Sequence, residues 1–258
     1  YGIKISTSQV SEAIQVLQGH FVSKEAEYQK FRKIDILEND QSGMIRRLQS
    51  YTERLAHIQF YTQVEDIIKV GIARYKDKYF PGRIVDSPFV LYEKYSRRDV
   101  SLLMNCGKDL SSIMYGMKRI EDDVFIFITY HKEESQDEKN YVDGKPDYAD
   151  AFEDNMIFRW ESQIGRGVDS SYVSDVVNTK RKHLLVKKSD AESNFYYMGE
   201  FDIIDVRAAR KRDNNGKERD ITKFEMKMHH PVREDLLRYL QSNLQQSLQN
   251  NTQELKAI

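Results

Sequence analysis

The residues from Tyr148 to Gly167 hold the densest chemistry in the chain. Tyr148, Asp150 and Phe152 alternate, then Phe158, Arg159, Trp160, Ser162 and Gln163 follow, and Gly165-Arg166-Gly167 closes the stretch. Trp160 is the only tryptophan. Aromatic faces can stack on a nucleobase drawn out of a duplex, and a carboxylate can accept the exocyclic amine of cytosine. An arginine on a tight turn can fill the gap that the base leaves. Each residue also has a plainer reading. Phe158 and Trp160 share one face of a strand pattern and fit a core as well as a pocket. Asp150 sits among solvated acids, and Gly165 to Gly167 makes an ordinary turn. The acids around Tyr148 and Phe152 predict an exposed loop, in which aromatics line something.

Other chemistry is thin. A glycine-rich loop ending in Gly-Lys-Ser/Thr is missing, so the chain carries no P-loop site of its own. The histidines, His20, His57, His131, His183, His229 and His230, never take the spacing of a helix-borne zinc pair. Asp220 followed by Glu225-Met226-Lys227 could hold magnesium and activate water. Those charges alternate with Phe224, Met226 and Met228, and the wet face of a strand explains them better. No catalytic residue, metal or cofactor is therefore expected in this chain.

A net charge of −1 looks wrong for a DNA binder until its distribution is considered. Nine acids between Glu133 and Asp154 face only Lys139 and Lys145. Basic clusters lie at Arg97-Arg98, Lys180-Arg181-Lys182, Lys187-Lys188 and from Arg207 to Arg219. Lys180 to Lys182 reads as a solvated loop or as a phosphate contact. At 258 residues, 40% hydrophobic and 31% charged, the composition is that of a globular protein, and no apolar run approaches the roughly 20 residues needed to cross a bilayer. No membrane partner is expected. The single cysteine, Cys106, fits a reducing, cytoplasmic setting. With no opening methionine and no secretion signal, the chain reads as a piece of a longer protein.

The elements that must position these residues follow from periodicity. The first ninety residues read as helix: Val10, Ile14 and Leu17 behind a Ser6 or Ser8 cap, with Gly19 as the stop; a second pattern through Ile45, Leu48, Tyr51, Leu55 and Ile58; and a third from Val64 to Tyr75. Pro81-Gly82 and Pro88 place a boundary near residue 90, giving domains 1–90 and 91–258. Strands are expected at Val124 to Tyr130, Ile157 to Ser162, His183 to Lys187, Phe195 to Val206 and Ile221 to Met228, with a short helix at Ser171 to Val177. The turn Asp213-Asn214-Asn215-Gly216 predicts an exposed loop carrying Arg210, Lys211 and Arg212. Pro231 opens a closing amphipathic helix, and the Gln/Asn-rich tail after it has little to pack with.

The order Leu91-Tyr92-Glu93-Lys94-Tyr95-Ser96-Arg97-Arg98-Asp99-Val100, then Ile126 to Lys132, Tyr-x-Asp-x-Phe, Phe-x-Trp-x-Ser and Phe195-Tyr196-Tyr197-Met198-Gly199 resembles the C-terminal target-recognition domain of helicase-type, modification-dependent (type IV) restriction enzymes. The resemblance covers residues 89 to 230. It implies an α+β chain: a helical connector followed by an SRA-like (PUA-like) mixed β-barrel with a C-terminal helix. The implied partner is double-stranded DNA with 5-methylcytosine or 5-hydroxymethylcytosine, and helicase and phospholipase-D-like nuclease domains would share the parent chain, with ATP and Mg serving the helicase. Under this reading Tyr148, Phe152 and Trp160 form the walls of a base pocket, Asp150 takes the cytosine amine, and Ser162 and Gln163 line the rim. Arg166 fills the vacated stack, while Arg159, Lys180, Arg181, Lys182, Arg210, Lys211 and Arg212 contact phosphates. The competing readings are an interaction module that couples helicase to nuclease without reading bases, and a nuclease built on Glu225 and Lys227.

Overall fold

The structure is a computed structural model that describes residues 6–22, 27, 33–39, 44–79, 87–131, 141–142, 145–146, 150–213 and 215–242. The fold is α+β with a large mixed sheet, and the chain forms two compact units, Tyr1–Ile113 and Met114–Ile258.

The first unit opens with α1 (Thr7–Leu17). Ser6 caps it through a reciprocal pair: its hydroxyl accepts the Gln9 N–H at 3.2 Å, and the Gln9 side chain accepts the Ser6 N–H at 2.9 Å. Gly19, with φ 77°, takes the left-handed conformation that ends the helix. Buried Gln18 then fastens the next segment, its Oε1 accepting the N–H groups of Ile36 and Leu37 at 2.8 and 2.7 Å. A two-stranded ribbon follows, β1 (Leu37–Asn39) with β2 (Ile45–Arg47), then α2 (Gln49–Leu55) and α3 (Ile58–Tyr79).

The expected helix from Ile45 to Ile58 is corrected. Ile45 pairs with Asn39 in the ribbon, and Leu48 is extended (φ −66°, ψ 149°) as the N-cap of α2. Strand pairing satisfies the backbone groups that a helix starting at Ile45 would have used. Pro81-Gly82 lies outside the described residues.

After β3 (Lys94–Tyr95), α4 (Arg97–Leu103) leads to a 3-10 turn at Ser111–Ile113. Here the Leu91 to Val100 motif resolves into fastenings. Ser96 and Asp99 form a second capping box, and the buried Tyr95 hydroxyl accepts the Val90 N–H at 2.9 Å. Arg98 donates to Asp109 at 2.7 Å and to Glu27 at 2.6 Å. Those types at those spacings hold structure together.

The second unit contains β4 (Met117–Ile120), β5 (Asp123–His131), the short pair β6 (Tyr141–Val142) and β7 (Lys145–Pro146), β8 (Ala151–Phe152), β9 (Ile157–Glu161), α5 (Ser171–Asn178), β10 (Arg181–Ser189), β11 (Phe195–Arg212), β12 (Glu218–Met228) and α6 (Glu234–Gln241). Its main sheet runs β4-β5-β10-β11-β12-β9-β8. β5 and β10 are parallel, and each other neighbouring pair on that path is antiparallel. Val124 to Ile128 and Leu184 to Val186 are all buried, which is why both strands read as continuous apolar runs. On β12, Phe224, Met226 and Met228 are buried between wetter neighbours, the alternation of a half-exposed strand.

Three expectations need correction. β11 continues to Arg212, so Arg210, Lys211 and Arg212 lie on a strand paired with Asp220, Arg219 and Glu218 rather than on a loop; the turn signal fixes the hairpin but not the length of its arms. Arg181 and Lys182 likewise belong to β10, where Arg181 faces Asp123 across the ladder. The closing helix begins at Glu234, three residues after Pro231, because Arg233 takes the cap position; Leu236 and Leu240 are its buried face. The tail beyond Ser242 lies outside the described residues.

Candidate nucleic-acid interface

Strand register places the candidate residues at one end of the β8–β9–β12 region. Glu153 and Asp154 build the tight turn between β8 and β9: the Glu153 N–H donates to the Ile157 carbonyl at 2.9 Å, and Asp154 Oδ1 accepts the N–H groups of Met156 and Ile157 at 2.6 and 2.7 Å. That hairpin sets Phe152 opposite Phe158 and Ala151 opposite Arg159, so Asp150 falls beside the end of β9. Its Oδ1 accepts the Glu161 N–H at 3.0 Å, and the residue is only 7% exposed. Asp150 is therefore not a solvated loop acid. A carboxylate buried beside aromatic rings is held where it can accept hydrogen bonds from a ligand with little reorganisation.

Trp160 is 3% exposed and stacks on Phe224 of β12, with ring centroids 4.8 Å apart and planes 25° apart. Phe152 is also buried, on β8, and meets Phe158 edge-on at 4.7 Å. The exposed loop expected around Phe152 is corrected, since cross-strand packing against Phe158 takes the ring inside. Tyr148 lies outside the described residues, as does most of the acidic segment.

After β9 the chain makes a rigid turn. The Ser162 N–H donates to the Thr222 carbonyl at 2.8 Å, the Thr222 N–H donates to Ser162 Oγ at 2.8 Å, and Ser162 Oγ donates to the Arg166 carbonyl at 2.7 Å. Gly165 (φ 85°) donates to the Asp220 carbonyl at 2.9 Å. Ser162 is thus a buried strut and not a rim group, whereas Gln163 and Arg166 are exposed on the turn it braces.

The structure adds two residues to this corner that the sequence reading missed. Tyr172, in the first turn of α5, has its ring 6.2 Å from Trp160 and the Arg166 guanidinium 5.5 Å away on its face. Burial pushes its phenol well above the usual range; Arg166 opposes that shift and the Asp150 charge adds to it. Gly116 (φ 70°) packs so closely that a Cβ there would lie 2.8 Å from Gln163 Nε2 and 3.5 Å from Tyr172 Oη. Neither was legible as a site residue: one tyrosine among sixteen and one glycine among twelve carry no motif of their own. We predict that Gly116→Ala costs about 1–2 kcal/mol through its left-handed backbone. Since the contact on Gln163 involves the far end of a flexible side chain, adding Gln163→Ala should restore little of that loss in a thermal melt.

The basic residues are mostly already paired. Arg159 meets Glu153 at 2.7 Å, Arg181 meets Asp123 at 2.6 Å, Arg210 meets Asp220 at 3.2 Å and Glu218 at 3.4 Å, and Lys211 meets Glu161 at 3.0 Å. Lys182 Nζ donates to the Thr179 carbonyl at 2.7 Å. Among the described residues Lys180 and Arg212 have no ion-pair partner. The far half of the β11–β12 hairpin, from Arg207 to Lys217, is largely exposed and forms a two-stranded ribbon rich in arginine and lysine. On its flank Gly167 to Ser170, Ala208 to Arg210, Asp220 and Ile221 line a cleft of about 470 Å³.

The nuclease arrangement does not assemble. Glu225 stands opposite Arg159 on the partly exposed face of β12, and Asp220 pairs with Arg210. Among the described residues no group of three or more histidine, cysteine or acidic side chains could hold a metal ion, and no helix is long and apolar enough to cross a membrane.

Comparison with known proteins gives low-scoring structural likenesses and two family matches. The MspJI restriction endonuclease in complex with a 27-mer oligonucleotide is 10% identical, with 44% of this chain and 31% of that chain covered and a TM-score of 0.30. The sulfur binding domain and SRA domain of ScoMcrA, complexed with phosphorothioated DNA, is 9% identical, with 60% and 46% covered and a TM-score of 0.31. SUVH6 of Arabidopsis thaliana is 9% identical, with 88% and 38% covered and a TM-score of 0.36. The chain spans less than half of the length of each of these proteins. No curated protein matches the chain. Residues 1–78 match the family model DUF8090, a domain of unknown function. Residues 89–240, more than half of the chain, match the model of DUF3427, also described as a domain of unknown function, and the chain belongs to that family.

Proposed function

We propose that this chain is a non-catalytic target-recognition module that binds duplex DNA containing 5-methylcytosine or 5-hydroxymethylcytosine and draws the modified base into the corner beside Asp150. The observation that carries the reading is Asp150 itself: a buried carboxylate fixed by the Glu161 N–H, whose charge reaches Tyr172 as does that of Arg166 on the exposed turn. Extrusion costs a few kcal/mol of stacking and pairing, and stacking on an aromatic side chain returns roughly 1–3 kcal/mol per base. Tyr148, Phe152 and Trp160 supply apolar surround, Asp150 takes the exocyclic amine, Gln163 stands at the rim, and Arg166 enters the gap. Lys180 and Arg212 are the phosphate contacts with least to give up; Arg159, Arg181, Lys182, Arg210 and Lys211 would first exchange an existing partner.

The motif order further supports an SRA-like fold for residues 91–258, with residues 1–90 as connector, and a cytoplasmic parent of the type IV restriction class nearest in motif order to SauUSI. In such a parent the helicase and phospholipase-D-like nuclease domains would use ATP and Mg. The interaction-module reading has one specific support, the exposed apolar residues of α3, where Ile67 is 71% and Ile68 55% exposed.

Matched duplexes carrying cytosine, 5-methylcytosine or 5-hydroxymethylcytosine separate the two readings at a stated salt concentration. A reader binds a modified duplex more tightly, and Asp150→Asn, which keeps the shape, lowers that affinity about tenfold. Equal affinity for all three, unchanged in Asp150→Asn, would favour the interaction module.

A further inference from the structure

The hydroxyl of Tyr172 is an anomaly of this corner. It is buried, and among the described residues it has no hydrogen-bond partner. A buried polar group without a partner destabilises the fold, and in a structure that satisfies its neighbours so thoroughly the exception calls for a reason. Phenylalanine would fill the same space without that cost.

Three features place the hydroxyl where a ligand would arrive. The Tyr172 ring neighbours both Trp160 and the Arg166 guanidinium. Its oxygen and the Gln163 amide approach the same side of Gly116, where a side chain at 116 would intrude on both. The cover contributed by Gln163 and Arg166 comes from long side chains on an exposed turn, which can rotate away without moving the braced backbone beneath them.

We propose that Tyr172 Oη is a specificity-determining hydrogen-bond donor to the extruded base, meeting a ring acceptor of cytosine, N3 or O2, while Asp150 accepts from the N4 amine. The inference rests on the base-reading function proposed above and adds the second half of the recognition pattern. An acceptor at Asp150 and a donor at Tyr172 match the cytosine edge, which offers an amine donor and ring acceptors. Thymine, with a carbonyl in place of the amine, would set an acceptor against the carboxylate. The orphan hydroxyl is then a donor left open in the free protein for the ligand to fill.

The test is Tyr172→Phe in the 258-residue chain, followed in two measurements: thermal stability of the free protein, and affinity for duplexes bearing 5-methylcytosine or cytosine. The expected result is a Tm raised by roughly 2–4 °C together with a loss of about tenfold in affinity for the modified duplex and little change for the unmodified one. If the wild type prefers modified DNA and Tyr172→Phe binds it equally well, the tyrosine proposal is overturned and the reading of function stands. A fall in Tm with equal losses on both duplexes assigns Tyr172 a structural role and also overturns it. A wild type with no preference overturns the reading and this proposal together.

Discussion

Trp160→Ala is expected to cost about 3–5 kcal/mol of stability, the range for deleting a large buried aromatic. The indole is nearly enclosed, stacked on Phe224 and flanked by Tyr172, on a ladder where Phe224 is its register partner. Removing it opens a cavity between β9 and β12 that sheet hydrogen bonding prevents from collapsing. Loss of DNA binding in that variant would report unfolding rather than recognition, so the informative partner is Trp160→Phe. Phenylalanine keeps a stacking face for Phe224 and should retain most of the stability. Urea unfolding of both variants, read beside their affinity for modified duplex, separates the roles. A stable Trp160→Phe protein with full affinity would make the indole a core residue that supports Tyr172 and Asp150 from behind. A stable protein with weakened binding would make it a wall.

The ambiguity at Trp160 marks where sequence reading stops. Period-2 alternation identified β12 and continuous apolar runs identified β5 and β10, because burial on one or both faces imposes those patterns directly. Alternation also put Phe158 and Trp160 on one buried face, but it cannot say whether the space in front of a ring is protein or solvent. Local signals worked where the interaction is local: Ser6 as a cap, Gly19 as a stop, Asp213 to Gly216 as a turn. They failed where partners are distant. Nothing near Ile45 announces that Asn39 will claim its backbone, and nothing near Arg210 shows that Asp220 will face it across the hairpin. The candidate site divides the same way. Asp150, Gln163 and Arg166 are carried by one hairpin and the turn after it, so a short stretch of sequence could group them as candidates. Gly116 and Tyr172 arrive from other elements, and only packing brings them beside Gln163 and Arg166.

The other large effect concerns the parallel pairing of β5 with β10, which no tight turn enforces because parallel strands are joined by long crossovers. Asp123 and Arg181 are register partners at its start, and their side chains meet at 2.6 Å. The second Asp123 oxygen lies 2.6 Å from His183 Nε2, and His183 Nδ1 lies 2.9 Å from the Tyr197 hydroxyl. An ionised carboxylate only accepts, so the His183 Nε2–H donates to Asp123, and Nδ1 shares its hydrogen bond with the Tyr197 hydroxyl. The imidazole stacks on Phe125 at 4.6 Å, which ties the polar chain to the apolar core.

Asp123→Asn leaves Arg181 without its counterion and sets an amide N–H against one of two donors. The expected loss is about 3 kcal/mol at neutral pH, at the lower end for breaking a buried pair because Arg181 is partly exposed. The loss should depend on pH in a definite direction. Burial alone would raise the Asp123 carboxyl, but hydrogen bonds and charge from His183 and Arg181 outweigh it and hold the group below its ordinary value. A carboxyl depressed in the folded state stabilises fully above its unfolded value, about 3.9, and that contribution fades as pH falls through the folded value. The gap between wild type and Asp123→Asn in urea unfolding should therefore be widest near pH 6–7 and narrow below about pH 4. A gap of constant size across that range would show that Asp123 acts by shape and not by charge.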